Sequence, residues 1–278
     1  GIWNTGLGPY ALTNVTTADG NTAVGRALVI LTTGANNTAV GMNSNYYSTT
    51  GAENTSVGQE SLFLSTTGSY NVAIGRQALR SSTTASNNTA VGYQAGYNNI
   101  TGSAITAFGS GALYSNTTGI SNTAVGTTDG VAIGAALSGN TTGSYNVAVG
   151  TGSLNQNTTA SNNTAVGFQA GYSNTTGTIT AVGYQAGQNN TTGDKNVALG
   201  TNALNTNTTG STNTALGRRA MYSNTEGNGN TAVGRNSFYY NTTGNYNVAV
   251  GENALPFSTT ASYNTAVGYE AGYVNVTG

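Results

Sequence analysis

Residues 71–75 read Asn71-Val72-Ala73-Ile74-Gly75, and close variants of this five-residue motif return along the whole chain. In most copies Thr stands in place of Val72, and Val or Leu stands in place of Ile74. Such a period indicates one small unit stacked on copies of itself, because a single unit cannot bury its own apolar side. The sequence therefore predicts an elongated repeat protein with one domain over residues 1–278. The closing glycines are 17 or 16 residues apart, with one step of 8, and they are Gly8, Gly25, Gly41, Gly58, Gly75, Gly92, Gly109, Gly126, Gly134, Gly150, Gly167, Gly183, Gly200, Gly217, Gly234, Gly251 and Gly268.

The composition of the repeat favours strands over helices. β-Branched residues precede most of these glycines, and turn sequences such as Thr66-Thr67-Gly68 follow at a fixed distance. We expect an all-β fold, a parallel β-solenoid (β-roll) of about 17 short coils with a 16–17-residue period. Alternation along each strand predicts that the fourth motif residue points into the coil, as at Val24, Val40, Ile74, Val149 and Val250. A second short strand is expected to bring a leucine against it, at Leu28, Leu62, Leu79, Leu113, Leu137, Leu154, Leu204 and Leu255.

The first residue of the motif predicts a ladder of asparagine side chains. Stacked coils place equivalent residues above one another at about 4.8 Å, so neighbouring amides can hydrogen-bond along the stack. Ile105, Gly130 and Ile179 interrupt this column. Its members are Asn21, Asn37, Asn54, Asn71, Asn88, Asn122, Asn146, Asn163, Asn196, Asn213, Asn230, Asn247 and Asn264.

The step of 8 residues between Gly126 and Gly134 is about half a coil. It contains Asp129-Gly130, a pair typical of tight turns. We therefore expect an irregular half-coil near residues 127–134.

The leucine column is replaced by glycine at four positions. Gly96, Gly171 and Gly272 are each followed by tyrosine, whose ring is expected to fill the lost interior volume. Gly187 is followed by Gln188 instead, so we expect a small void and a weak point there.

Charge and residue usage exclude several function classes. Charged residues make up 5% of the chain, with seven Lys+Arg against eight Asp+Glu, which argues against nucleic acid as the partner. No apolar run reaches the length of a membrane span. Histidine and cysteine are absent, which removes the usual general base, nucleophile pairs and most transition-metal sites. We expect no catalytic, cofactor-binding or metal-binding residue, and we do not expect an enzyme.

The motif resembles that of a known family. Asn71-Val72-Ala73-Ile74-Gly75, Asn146-Val147-Ala148-Val149-Gly150 and Gly130-Val131-Ala132-Ile133-Gly134 are similar to the Ser-Val-Ala-Ile-Gly repeats in the heads of trimeric autotransporter adhesins, and to repeats in bacteriophage tail fibres. The resemblance implies a left-handed parallel β-roll in which three chains assemble side by side. The coil here is longer than the repeat of the adhesin head, and no functional residue transfers, because the family's motif is structural.

The turn sequence Asn-Thr-Thr is also the acceptor pattern for N-glycosylation. The alternative interpretation is that Asn and Gly supply the left-handed backbone of a tight turn. If sugars are attached, they are expected along one edge of the stack. The candidate acceptors are Asn116, Asn140, Asn157, Asn174, Asn190, Asn207 and Asn241.

Aromatic and basic side chains also recur at fixed phases. Ring stacking between coils is the favoured interpretation of the aromatic columns, and stacking on carbohydrate is the alternative. A solvated face is favoured for the basic cluster Arg218, Arg219 and Arg235. The aromatic columns are Tyr70, Tyr145, Tyr246 and Tyr263 before the motif, and Tyr93, Phe168, Tyr184 and Tyr269 after its glycine.

These observations favour a structural protein. We expect a non-enzymatic segment of an extracellular or cell-surface fibre or adhesin, whose partner is a second copy of itself in a filament or trimeric rod. A host-surface glycan or protein is a further expected partner. The alternative is a bacteriophage tail-fibre shaft or receptor-binding segment, located in the virion tail.

Overall fold

The computed structural model describes residues 1–128 and 134–276, and over these residues the fold is an all-β parallel β-solenoid with a period of about 17 residues and no helix. The predicted fold class is therefore confirmed. The chain divides into two compact units, Gly1–Tyr145 and Asn146–Gly278. The prediction of one repeat domain stays a prediction.

Each unit has eight short described strands, and neighbouring strands within a unit pair in parallel and in sequence order. The strands of the first unit are β1 (Thr5–Leu7), β2 (Thr22–Val24), β3 (Thr38–Val40), β4 (Thr55–Val57), β5 (Val72–Ile74), β6 (Thr89–Val91), β7 (Thr106–Phe108) and β8 (Thr123–Val125). Those of the second unit are β9 (Val147–Val149), β10 (Thr164–Val166), β11 (Ile179–Val182), β12 (Asn196–Leu199), β13 (Thr214–Leu216), β14 (Thr231–Val233), β15 (Val248–Val250) and β16 (Thr265–Val267).

Every strand pairs in register, so motif residues lie opposite their counterparts one turn away. In β5 and β6, Val72 pairs with Thr89, Ala73 with Ala90 and Ile74 with Val91. The turns that follow are bonded between coils as well, since the amide of Leu79 donates to the carbonyl of Ala95 at 3.0 Å. Stacking therefore involves the whole coil and not the strands alone.

The inward residues of the motif are the asparagine and the alanine, which corrects the expectation for the fourth residue. Asn71 and Ala73 are fully buried, whereas Val72 is half-buried and Ile74 is 40% exposed. The same correction holds for Val24, Val40, Val149 and Val250, which are all half-exposed. The physical reason is the period of two along a strand: once the asparagine amide hydrogen-bonds inside, the fourth residue must face outward.

The leucine column is buried as expected, but it does not lie on a second strand. Leu28, Leu62, Leu79, Leu113, Leu137, Leu154, Leu204 and Leu255 are at most 2% exposed, and each has a left-handed backbone with φ between 45° and 52°. These residues are in turns. The prediction of a second strand is wrong, because a φ of this sign is incompatible with strand geometry.

At three of the four glycines of this column, Gly96, Gly171 and Gly187, an isoleucine that replaces an asparagine of the ladder lies beside the glycine. A Cβ at Gly96 would lie 2.9 Å from Leu79 Cδ2 and 3.5 Å from Ile105 Cδ1, so neighbouring side chains already occupy that space. A Cβ at Gly187 would lie 2.4 Å from Ile179 Cδ1. The expected void at Gly187 is therefore wrong, because Ile179 fills it.

The tyrosines that follow these glycines are only half-buried at Tyr97 and Tyr172, and Tyr273 is exposed. The space at Gly171 and Gly272 is bounded by Leu154 and Leu255 of the preceding turn. Filling of the interior by tyrosine rings is therefore also wrong, since leucine and isoleucine side chains supply that volume.

One turn of the first unit is longer than the others. Thr66 Oγ1 donates to the carbonyl of Thr83, 17 residues further on, whereas the equivalent bond from Thr117 to Thr141 spans 24 residues. The expected half-coil near residues 127–134 falls in this longer turn. Residues 129–133 of that prediction lie outside the described residues.

Candidate functional surfaces

Within each unit, the first asparagine column forms a repeated pattern of side-chain and backbone hydrogen bonds. Asn71 is typical: its Nδ2 donates to Asn54 Oδ1 at 3.0 Å and to the carbonyl of Ala85 at 2.9 Å, while its Oδ1 accepts from the amide of Asn88 at 3.1 Å. Where Ile105 interrupts the column, its own amide still donates to Asn88 Oδ1 at 3.0 Å. This ladder fixes the register of successive turns from inside the coil.

A second asparagine ladder runs through the turn that precedes the Thr-Thr pair, and it contains the candidate glycosylation sites. Asn207 Nδ2 donates to Asn190 Oδ1 at 2.7 Å and to the carbonyl of Gly210 at 2.8 Å. All seven candidate acceptors are fully buried, namely Asn116, Asn140, Asn157, Asn174, Asn190, Asn207 and Asn241. A glycan on any of these nitrogens would have to displace buried hydrogen bonds and interior packing, so the geometry argues against attachment at these positions. The interpretation as a left-handed turn is also wrong here, because none of the seven asparagines has a positive φ, nor does Gly193 or Gly210. The hydrogen bonds of the ladder account for asparagine at these positions.

The outward side of the strands carries two neighbouring columns. The second motif position presents mainly threonine, and the fourth presents a row of aliphatic side chains and Phe108. We call this second row the apolar stripe, and in strand register it consists of Leu7, Val24, Val40, Val57, Ile74, Val91, Phe108 and Val125 in the first unit, and of Val149, Val166, Val182, Leu199, Leu216, Val233, Val250 and Val267 in the second. Every member is half-exposed or exposed. An unbroken row of this kind within each unit is a typical contact surface.

The aromatic columns show two behaviours. Phe168 and Tyr184 stack with ring centroids 5.3 Å apart, and Tyr246 and Tyr263 stack at 5.5 Å. These pairs agree with ring stacking between coils. Tyr70 is 56% exposed and has no such ring pair among the described residues.

Acidic and basic side chains form three ion pairs among the described residues, Arg80 with Glu60, Lys195 with Asp194, and Arg235 with Glu252. The hydrogen bond from Arg80, at 2.9 Å, holds the pKa of Glu60 below its usual value, and Gln77 lowers it further. Arg80 also lies over the rings of Phe63 and Tyr97.

The pKa of a second carboxyl group, that of Asp194, is lowered by a neighbouring hydroxyl group. Thr178 donates through Oγ1 to Asp194 Oδ1, which lowers the pKa of that carboxyl. No group of three acidic side chains that could bind a metal ion occurs in residues 1–128 and 134–276.

The second unit carries a recess with a volume of about 250 Å³ that the sequence analysis did not single out. Arg219 lines it, together with Asn236, Tyr239, Tyr240, Asn253, Pro256, Phe257 and Tyr273. Arg219, Asn236 and Asn253 occupy one column at intervals of 17 residues. The signal that could have revealed the recess is the pair Tyr239-Tyr240, which recurs 17 residues later as Pro256-Phe257.

The three arginines of the predicted basic cluster do not act together. Arg235 pairs with Glu252, Arg218 is exposed, and Arg219 lines the recess. Arg219 takes part in none of the ion pairs of the described residues.

Comparison with known proteins found no matching family model and no matching curated relative. In the described part of the chain, no helix has the length and hydrophobicity needed to cross a bilayer.

Proposed function

We propose that the chain is a non-enzymatic structural segment of an extracellular or cell-surface fibre or adhesin, in which copies of the chain associate laterally. The observation that carries the proposal is the apolar stripe, an outward row of valine, isoleucine and leucine side chains in register within each unit. In the second unit Leu199 keeps 37% of its surface exposed. Removing such a row from water by pairing with a second copy is favourable at about 25 cal/mol per Å² of apolar surface.

The interior supports this role. Two ladders of buried asparagines and in-register backbone bonds hold successive turns together, and the coil is filled by leucine and alanine. A coil of this kind repeats the same outer surface at every turn, which suits a fibre. The left-handed coil, the trimer and the extracellular location are part of the proposal and rest on the resemblance to adhesin heads. A host-surface glycan or protein remains the proposed external partner.

The test is the mass of the assembly in solution. We expect the purified chain to associate. We expect L199K/L216K to have the monomer mass of 27.8 kDa. The reason is that two lysines in the apolar stripe place like charges opposite each other in neighbouring copies. The matched control is T192K/T209K, which adds the same charge at exposed turn positions of the same unit. Mass photometry and analytical ultracentrifugation measure both variants.

The form of the assembly distinguishes a trimeric rod from a filament. A single mass of three chains indicates a closed rod, whereas an open distribution of masses indicates a filament. A monomer at all concentrations, or an assembly that L199K/L216K leaves unchanged, contradicts the proposal.

A further inference from the structure

We propose that the recess of the second unit binds an oligosaccharide that carries a carboxylate. The inference names the chemistry of the external partner in the function proposed above. It rests on that function only for its biological setting, because every lining residue belongs to the second unit of one chain.

The aromatic residues of the recess provide a platform for sugar rings. Tyr240 and Phe257 are nearly parallel, with an interplanar angle of 13° and centroids 5.5 Å apart, and they are 47% and 37% exposed. This separation corresponds to an offset stack, so part of each ring face stays uncovered. Tyr239 and Tyr273 meet the platform edge-on, at 4.5 Å from Tyr240 and 5.2 Å from Phe257. The uncovered ring faces suit the apolar faces of pyranose rings.

The amide groups of the recess provide hydrogen-bonding capacity. Asn236 Nδ2 donates to Asn253 Oδ1 at 3.3 Å, but Asn236 Oδ1 is buried without any hydrogen-bond partner. A buried acceptor without a partner is unfavourable. A sugar hydroxyl in the recess supplies the missing donor once the Asn236 side chain turns to present this oxygen, which an aliphatic ligand cannot do.

The charge of the recess selects the class of sugar. Arg219 is the only charged lining residue, and it belongs to none of the ion pairs of the described residues. Glu270 occupies the same column as Arg219 but three turns further along, at about 14 Å from it for a spacing of 4.8 Å per turn. A carboxylate bound near Asn236 is therefore closer to the guanidinium than to the acid. Arginine binds carboxylates through two parallel hydrogen bonds, which gives both affinity and orientation.

The experiment measures binding of named sugars by calorimetry and by saturation-transfer NMR. The acidic probes are tetragalacturonate and 3′-sialyllactose, and their neutral counterparts are methyl-esterified tetragalacturonate and lactose. We expect at least one acidic probe to bind roughly ten-fold or more tightly than its neutral counterpart, as one charged hydrogen-bonded pair would produce. We also expect its affinity to fall as salt is raised.

Substitutions in the recess test whether the sugar binds there, and a residue type already found at the equivalent position of other turns should not disturb the fold. R219Q is such a variant, because Gln77, Gln94, Gln169 and Gln185 occupy the equivalent position in other turns. It should abolish the preference for the acidic probe, whereas R218Q, at the exposed neighbour outside the recess, should leave it intact. Y240S/F257S should remove binding of acidic and neutral probes alike, with Y70S in the first unit as the control for loss of an exposed tyrosine.

Three results would overturn the inference. They are equal affinity for acidic and neutral probes, full binding by R219Q or Y240S/F257S, and equally tight binding of tetraglutamate, which shares the charge but not the sugar rings. The variant L199K/L216K separates this inference from the function proposed above. It should lose assembly and keep sugar binding, so failure of one proposal leaves the other measurable.

Discussion

The interior leucines have a backbone conformation that is unfavourable for a residue with a side chain. Leu62 is fully buried with φ 49°, a backbone region that costs an L-residue about 1–2 kcal/mol. Burying its side chain contributes about 1.5–3 kcal/mol, which offsets that strain. Asn45 and Gly96 occupy the same column with φ 46° and 60°. Asparagine and glycine are the residue types that tolerate this region most easily, so the column is defined by its backbone as well as by hydrophobicity.

The strain predicts an unusual order of stability for two substitutions at Leu62. L62A should cost about 2–5 kcal/mol through the cavity that it leaves. L62G removes one more carbon, yet it should be no less stable than L62A, and up to about 1 kcal/mol more stable, because glycine adopts positive φ without strain. Urea unfolding followed by circular dichroism measures both.

The control for this comparison is Ala73, which is fully buried in the strand Val72–Ile74. There A73G should lower the free energy of unfolding, because the strand backbone has no need of glycine. An L62G chain that is less stable than L62A by about 1 kcal/mol or more would contradict the left-handed assignment.

Two substitutions within the repeat share one interior space. Gly96 replaces the usual leucine, and Ile105 replaces the usual asparagine of the ladder. Ile105 Cδ1 lies 3.5 Å from where a Cβ of Gly96 would be, so one large side chain is exchanged for another across the interior. The exchange removes one asparagine from the ladder but keeps the bond from the Ile105 amide to Asn88 Oδ1. Interior volume is therefore conserved between two columns of the repeat.

This pairing predicts a strong coupling in a double-mutant cycle. G96L alone overfills the interior, and I105N alone leaves a space, so each should destabilise by about 1–3 kcal/mol. G96L/I105N restores the residues found in most turns, and its loss of stability should be smaller than the sum of the two by about 1 kcal/mol or more. Additive losses, measured by chemical unfolding of all four chains, would show that the two positions do not share one space.

The ion pair of Glu60 and Arg80 predicts a dependence of stability on pH. The folded-state pKa of Glu60 is lowered, chiefly by the hydrogen bond from Arg80, so the pair stabilises the fold above the unfolded pKa of a glutamate, about 4.3. That contribution is lost as pH falls through the lower folded pKa. Because the side chains of Arg80 and Glu60 keep 26% and 20% of their surface exposed, the effect should be under about 1 kcal/mol.

The measurement is the difference in melting temperature between the native chain and E60Q. It should be positive at about pH 7 and smaller at about pH 3, because the contribution declines once the pH falls below the unfolded pKa. E53Q, at an exposed acid in the same unit, is the control and should show no such change. A difference between the native chain and E60Q that is the same at both pH values would argue against the pair.

For each unit as a whole, the period in the sequence predicted the stacking of turns and the positions of the buried leucines and asparagines. It did not predict which motif residues face inward, because the hydrophobicity of Ile74 suggested burial, whereas the asparagine amide at Asn71 sets the inward face. Nor did it predict the left-handed leucines, since nothing in the side chain of Leu79 signals its φ of 48°. The recess around Arg219 combines residues from several turns, so it emerged only from their packing.

The central claim is that equivalent residues of successive turns lie directly opposite one another. The chain has no cysteine, so introduced cysteine pairs report on neighbours without interference. Val72 and Thr89 are register partners on the outer face, and parallel neighbours at about 4.8 Å lie within the Cα separation that a disulfide requires. Thr106 is one turn beyond Thr89 and about 9.6 Å from Val72 on the same spacing, which is too far.

The most direct measurement is therefore disulfide formation in V72C/T89C and V72C/T106C under mild oxidation, followed by mass spectrometry of monomeric protein. The account predicts a complete intramolecular disulfide in V72C/T89C and none in V72C/T106C. A disulfide in V72C/T106C, or free thiols in V72C/T89C, would contradict it.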